Sequence, residues 1–263
     1  MSKKAAKSET NSELERTLFF EKQAESIARK FGARRITTHI CSNRDEGQRQ
    51  VITLINEELK KKGKLRIGIS DSVTLHQTGI ISKLEELDSV SIINPFIRLE
   101  DGKYEIFSDQ PEGSLDLPKE EYYQRMQKHY DMMKDSVQSD IFLTGANAIT
   151  MQGQIVSTDG TGNRVSGMIF GPEKVFVIVG RNKICKDLNA AMERNRNVAA
   201  PLNYFRHNVK HHNRFDNPCM KLGYCVDCNS PRRACLKTVI IDGEIELKKD
   251  RIHVILINED LGL

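Results

Sequence analysis

Long apolar runs and a strong net charge are both missing from this sequence. An apolar stretch such as VFVIV has the length of a strand, far below the roughly 18 residues that suggest a membrane span. The opening MSKKAAKSETNSELERTL carries lysines but no apolar segment behind them, which argues against a secretory signal. The net charge is only +4 and is spread along the chain, so nucleic acid is not an expected partner. We therefore expect a cytoplasmic protein without a membrane span.

Internal repeats and low-complexity segments are also missing, and the rest of the pattern is that of a globular protein. The 263 residues, 38% of them hydrophobic, can bury a sizeable core. An N-terminal helix is expected from the capping box Ser12-x-x-Glu15 to Gly32. From KLRIGIS onward strands alternate with helices, and KVFVIVG is almost wholly apolar, as in a strand covered on both faces. The pattern predicts an α/β fold with a mostly parallel sheet and helices on both faces.

The same pattern suggests how the chain is organised. Residues 1–32 form a tail and a helix, and residues 33–263 form the α/β domain, which contains a cysteine-rich loop at 217–237. Within the domain, the helix in CKDLNAAMERNRNVAAP is expected to close at Pro201, because proline interrupts a helix interior.

Three turns rich in glycine and hydroxyl residues follow predicted strands. They are GISDS at 68–72, TGANA at 144–148 and DGTGNR at 159–164, and none matches a Rossmann or P-loop pattern. Each is compatible with a tight strand–helix connection, but the carboxyl ends of parallel strands share one edge of a sheet. We therefore predict that they form one pocket for a small anionic substrate, lined by Ser70, Thr74, Asn147, Asp159, Thr161, Gly162, Asn163, Arg164 and Lys183.

Two kinds of role are expected within this pocket. Asp159 is the candidate catalytic acid or base, with the alternative that it caps the following helix. Arg164 or Lys183 is the candidate partner of the substrate's anionic group. The sequence does not decide whether the chain is an enzyme.

Four of the six cysteines lie within the segment NPCMKLGYCVDCNSPRRACLK. Cys219, Cys225, Cys228 and Cys235 have the spacing C-x5-C-x2-C-x6-C, and a reducing compartment disfavours disulfides between them. Zinc or a [4Fe–4S] cluster fits four thiolates on one loop, and idle thiols are the remaining alternative. The preceding RHNVKHHNR, 206–214, is expected to be a solvated connector, with a phosphate-binding or partner-docking patch as the alternative. His211 or His212 could substitute as a metal ligand. The other two cysteines, Cys41 and Cys185, are expected in the core.

Several blocks of this sequence resemble the LUD domain, the lactate-utilization family. They are DIFLTGANAIT, STDGTGNR, GYCVDC and INEDLGL, with a weaker likeness in IGISDSVTL. The resemblance implies a fold like that of sugar-phosphate isomerases and CoA transferases. It also implies a role beside iron–sulfur oxidoreductase subunits in oxidising lactate to pyruvate, which favours [4Fe–4S] over zinc.

Neither a flavin motif nor a two-cluster ferredoxin pattern is present. We therefore expect an accessory or electron-transfer component of 2-hydroxy-acid utilisation. The alternative is an enzyme that acts on a phosphorylated or CoA-linked small molecule at the glycine-rich turns. The modest net charge argues against a nucleic-acid-binding protein stabilised by zinc. The sequence leaves open whether the chain forms a homo-oligomer.

Overall fold

A computed structural model of the chain describes residues 12–97, 105, 117–210 and 215–263. His211 and His212, the substitute metal ligands, lie outside these ranges. The strands are β1 Thr37–Cys41, β2 Leu65–Ile69, β3 Val90–Ile93, β4 Ile141–Gly145, β5 Ala148–Thr150, β6 Ile155–Asp159, β7 Lys174–Gly180, β8 Ile184–Cys185, β9 Lys237–Ile241 and β10 Ile252–Ile257. The α-helices are α1 Ser12–Ala33, α2 Arg44–Lys62, α3 Val73–Gln77, α4 Ile80–Glu85, α5 Lys119–Val137, α6 Asn163–Ile169, α7 Leu188–Arg194, α8 Ala200–Lys210 and α9 Pro218–Leu222.

Six strands form one parallel sheet in the order β1-β10-β7-β4-β2-β3. A smaller sheet has the order β8-β5-β6-β9, and in it β6 runs antiparallel to both β5 and β9. The predicted α/β fold with a mostly parallel sheet is therefore confirmed.

Helices cover both faces of the parallel sheet, as the apolar pattern of β7 predicts. Val177 belongs to a core cluster with Phe31 of α1, and its neighbour Phe176 belongs to a second cluster with Ile55 of α2. Successive side chains of a strand point to opposite faces, so a strand buried on both sides needs apolar residues throughout.

Helix α1 shares the first of these clusters with the sheet, because Phe20, Ala24 and Ile27 are buried there beside Phe31. The division of the chain at residue 32 stays a prediction about domain organisation. Within the described ranges, every helix is too short or too polar to cross a membrane.

The helix expected to close at Pro201 continues past it, so that prediction is wrong. A turn of π-helix, Asn195–Ala199, joins α7 to α8, and Pro201 is the second residue of α8. Proline is tolerated in the first turn of a helix, where its missing N–H is not needed. The wider turn thus starts a new helical segment, and such turns often occur at functional sites.

Candidate functional site

A polar cleft of about 230 Å³ lies beyond the carboxyl ends of β2, β4 and β6. Of the nine residues predicted for the pocket, seven line this cleft: Thr74, Asn147, Asp159, Thr161, Asn163, Arg164 and Lys183. The three glycine-rich turns thus meet at one place. The strands before the first two turns are neighbours in the parallel sheet, whereas β6, before the third, belongs to the smaller sheet.

The remaining two predicted residues are not part of the lining. Ser70 is buried, and its hydroxyl donates to Thr144 Oγ1 at 2.9 Å, so it joins the ends of β2 and β4 beneath the cleft. Gly162 is buried at the start of α6 with φ of 105°, a conformation that glycine adopts readily. Both shape the turns that carry the lining residues.

Asp159 holds the third turn together. Its Oδ1 accepts the Gly160 N–H at 2.7 Å, and its Oδ2 accepts the Arg164 N–H at 3.0 Å. These contacts match the alternative in which the carboxylate satisfies the start of the following helix. A role as acid or base stays a prediction.

Hydrogen bonds hold one side of the Arg164 guanidinium group in place. Its Nη2 donates to the Thr158 carbonyl and, at 3.5 Å, to Asn147 Oδ1, which also accepts the Thr158 N–H at 2.7 Å. Its Nε is buried without a hydrogen-bond partner in the described part of the chain. Arg164 thus contributes a positive charge to the cleft that no described carboxylate pairs with directly.

Lys183 lies in a short 3-10 turn after β7 and is only 4% exposed. Its Nζ donates to the Ala146 carbonyl at 3.2 Å and faces the cleft. Burial, with smaller contributions from the nearby Arg194 and Arg164 charges, lowers the pKa of Lys183 to about 7. A share of this amine is therefore neutral at neutral pH, unlike an ordinary lysine.

Two arginines outside the predicted pocket residues support the cleft. Arg194 donates to the carbonyls of Asn147 at 2.7 Å, Asn182 at 3.0 Å and Leu263 at 3.1 Å, and so joins three loops. Arg206 on α8 pairs with Asp71 at 2.5 Å, and both residues line the cleft. Sequence motifs do not show these contacts, since they join residues that are far apart in the chain.

The four clustered cysteines line a second cavity of about 120 Å³. Burial raises the pKa of the Cys219 thiol, and the nearby Cys228, Cys235 and Cys225 raise it further. All four are free thiols, yet no group of three or more histidine, cysteine or acidic residues in the described ranges is arranged to hold a metal ion. The donor chemistry suits a soft metal, but the sulfur atoms are not gathered into a coordination shell.

Arginine and asparagine side chains hold this cysteine loop in place. Arg233 donates to the carbonyls of Cys228 at 2.6 Å and Cys235 at 3.1 Å, and Asn197 Oδ1 accepts the Cys225 N–H at 2.7 Å. Polar contacts within the loop and with the π-helical turn therefore hold the loop in place. The remaining cysteines, Cys41 and Cys185, are buried in apolar clusters, which confirms the core positions predicted for them.

The two cavities share a wall. Thr158, Asn195, Ala200, Tyr204 and Cys235 line both of them, and the Tyr204 hydroxyl accepts the Ala234 N–H. A group bound at the cysteines would thus be a direct neighbour of a molecule in the cleft.

Comparisons with known proteins place the chain in a family. The family model of the LUD domain matches residues 24–257. Among solved structures, the chain is similar to a DUF162 family protein from Deinococcus radiodurans, with 10% sequence identity and a TM-score of 0.39; the match covers 92% of this chain and 98% of that one. No curated protein matches the sequence.

Proposed function

The chain belongs to the LUD domain family, a domain associated with lactate utilization, and we propose that its cleft binds a small 2-hydroxy acid or 2-oxo acid. The observation that carries the proposal is that two basic groups of the cleft have no direct carboxylate partner among the described residues. Arg164 and Lys183 face the cleft, whereas the Asp159 carboxylate is engaged by backbone N–H groups and the Asp71 carboxylate is paired with Arg206. A bound carboxylate would complement the charge of these basic groups.

The size of the cleft favours a small ligand. Its volume of about 230 Å³ lies below the range of roughly 300 to 1,000 Å³ of sites for drug-sized molecules. A three-carbon acid can be enclosed there, whereas a CoA ester would extend outside. The hydroxyl of Thr74 and the amide of Asn147 offer hydrogen bonds to the ligand's oxygen atoms.

The cysteine loop forms the second part of the proposal. Cys219, Cys225, Cys228 and Cys235 would hold a [4Fe–4S] cluster or a zinc ion once the loop closes around it. A cluster would supply one-electron transfer, and zinc would supply structural stability. Asn217 supports such a rearrangement, because both polar atoms of its buried side chain have no partner within the described ranges.

The cellular role follows from these two sites. The protein would act in the cytoplasm as an accessory or electron-transfer component beside iron–sulfur oxidoreductase subunits. The alternative, an enzyme of phosphorylated or CoA-linked substrates, relies on a likeness to sugar-phosphate isomerases and CoA transferases, and the glycine-rich turns support it only at the level of fold analogy.

Thermal unfolding with and without ligand tests whether the cleft binds these acids. Lactate or pyruvate at 100 times its dissociation constant should stabilise the protein by about 2.7 kcal/mol. Arg164→Lys keeps the charge but loses the planar donor pair, so it should weaken this effect, whereas Arg232→Lys, outside the cleft lining, should not. Stabilisation by a sugar phosphate or CoA ester, with none by the acids, would contradict the proposal and favour the alternative.

The metal content of the purified protein tests whether the cysteine loop binds a metal centre. Anaerobically purified protein should hold about four irons and four sulfides per chain, as one [4Fe–4S] centre requires. Cys228→Ser should lose them, and Cys185→Ser, in a core cluster, should keep them. One zinc without iron would make the site structural, and the absence of both metals would end this part of the proposal.

A further inference from the structure

Lys183 is placed as a reactive amine rather than as a structural cation. It follows the carboxyl end of β7, and its side chain reaches under the cleft toward Ala146 at the end of β4. A Cβ built on Gly262 would lie 2.8 Å from Lys183 Nζ and 2.4 Å from Thr74 Oγ1. The amine and this hydroxyl therefore border the same glycine, and all three residues line the cleft.

The surroundings of Lys183 do not stabilise an ammonium ion. Among the described residues its one hydrogen bond goes to a carbonyl, and none of the described salt bridges includes it. The charged groups that act on it are the guanidinium groups of Arg194 and Arg164, which together with burial keep its pKa near 7. A desolvated lysine beside another cation is a known route to an amine nucleophile at neutral pH.

We propose that Lys183 forms a Schiff base with the carbonyl group of a 2-oxo acid. The proposal rests on the proposed function, because a 2-oxo acid is the oxidised form of a 2-hydroxy acid. The neutral amine adds to the carbonyl carbon to give a carbinolamine, which then loses one water, so that the C=O bond is replaced by C=N. The step needs no oxidant or reductant.

The positive charge of Arg164 selects the class of carbonyl compound. It lines the same cleft as Lys183 and can pair with the carboxylate of the oxo acid while the amine reaches the adjacent carbon. A simple ketone or aldehyde lacks that partner and should react less.

Reductive trapping tests the proposal on the intact protein. Incubation with pyruvate and cyanoborohydride at pH 7, followed by peptide mass spectrometry, should place one reduced adduct per chain on Lys183. Lys183→Arg retains a cation but cannot form the imine, so its adduct should disappear. Lys186→Arg, which removes an exposed lysine three residues farther on, should leave the adduct unchanged.

The outcomes separate this inference from the proposed function. Saturable stabilisation by pyruvate without an adduct on Lys183 overturns the Schiff base and leaves the ligand proposal standing. Neither stabilisation nor an adduct overturns both. Equal trapping of acetone and pyruvate overturns the assignment to oxo acids, and adducts spread evenly over surface lysines overturn the special reactivity of Lys183. The variants are not needed for the central result, which is the position of the adduct in the unmodified chain.

Discussion

The cleft and the cysteine cavity are neighbours, but they are built in different ways. The cleft lies on the ends of parallel strands, and buried side chains such as Thr74 and Lys183 fix its floor. The cysteine cavity lies between the wall that it shares with the cleft and a loop with one short helix, in which Cys225, Cys228 and Cys235 are only half-buried. We infer that the cleft keeps its geometry without a ligand, whereas the loop needs a bound group to gather its sulfur atoms.

Removing Arg194 should have the largest effect, because it supports the cleft. Arg194→Met leaves the carbonyls of Asn147, Asn182 and Leu263 without their donor. Since three hydrogen bonds from a charged group are lost and each contributes about 1.5 to 3 kcal/mol, we expect a loss of about 5 kcal/mol in the free energy of unfolding. Urea denaturation measures it. A loss below 1 kcal/mol would mean that the cleft does not depend on this residue.

The buried amine of Lys183 should destabilise the protein by a smaller, pH-dependent amount. The pKa of Lys183 is about 7 in the folded protein, and that of an unfolded lysine is about 10.4. Between these values the unfolded chain binds the extra proton, so stability rises with pH across this window and the contribution is constant below pH 7.

The variant Lys183→Met isolates that contribution. The free energy of unfolding of the native chain, relative to Lys183→Met, should rise by about 3 kcal/mol between pH 7 and pH 10. Comparing two chains at each pH removes the titration of groups that they share. A difference that stays flat with pH would show that Lys183 is an ordinary ammonium ion when folded.

Arg233 supports the cysteine loop as Arg194 supports the cleft, so substituting each by methionine compares the two sites. The Arg233 guanidinium is also bound to two carbonyls, those of Cys228 and Cys235, but its side chain is 25% exposed and pairs with the exposed Asp227. Water can replace these contacts, so Arg233→Met should cost only about 1 kcal/mol in unfolding free energy. A cost equal to that of Arg194→Met would remove the contrast between the two sites.

The turns that line the cleft are easier to predict from the sequence than the arginines that support it. The turns after β2 and β4 meet as expected because carboxyl ends of neighbouring parallel strands share an edge, a rule that needs no knowledge of packing. The turn after β6 reaches the same cleft from the second sheet, and that rule does not explain its position. Arg194 and Arg206 escaped prediction because a π-turn, and not a helix end at Pro201, decides where α7 and α8 lie. The four cysteines were recognised by spacing, but spacing does not specify how near their sulfur atoms come.

The smallest effect expected is a difference in reactivity among the four cysteines. The thiolate is the nucleophile in alkylation, and its fraction falls as the pKa of the thiol rises. Burial and the neighbouring thiols raise the pKa of Cys219, which is 7% exposed, whereas Cys225 and Cys228 are half-buried. In metal-free protein at pH 8, iodoacetamide should therefore modify Cys219 several-fold more slowly than Cys225 or Cys228, as followed by peptide mass spectrometry.

Unfolding the protein in urea should abolish the difference, which controls for local sequence effects. A bound metal should protect all four thiols together, because each would then be a ligand. Equal rates in the folded, metal-free protein would show that Cys219 is as accessible as the others and that the loop has no ordered cavity.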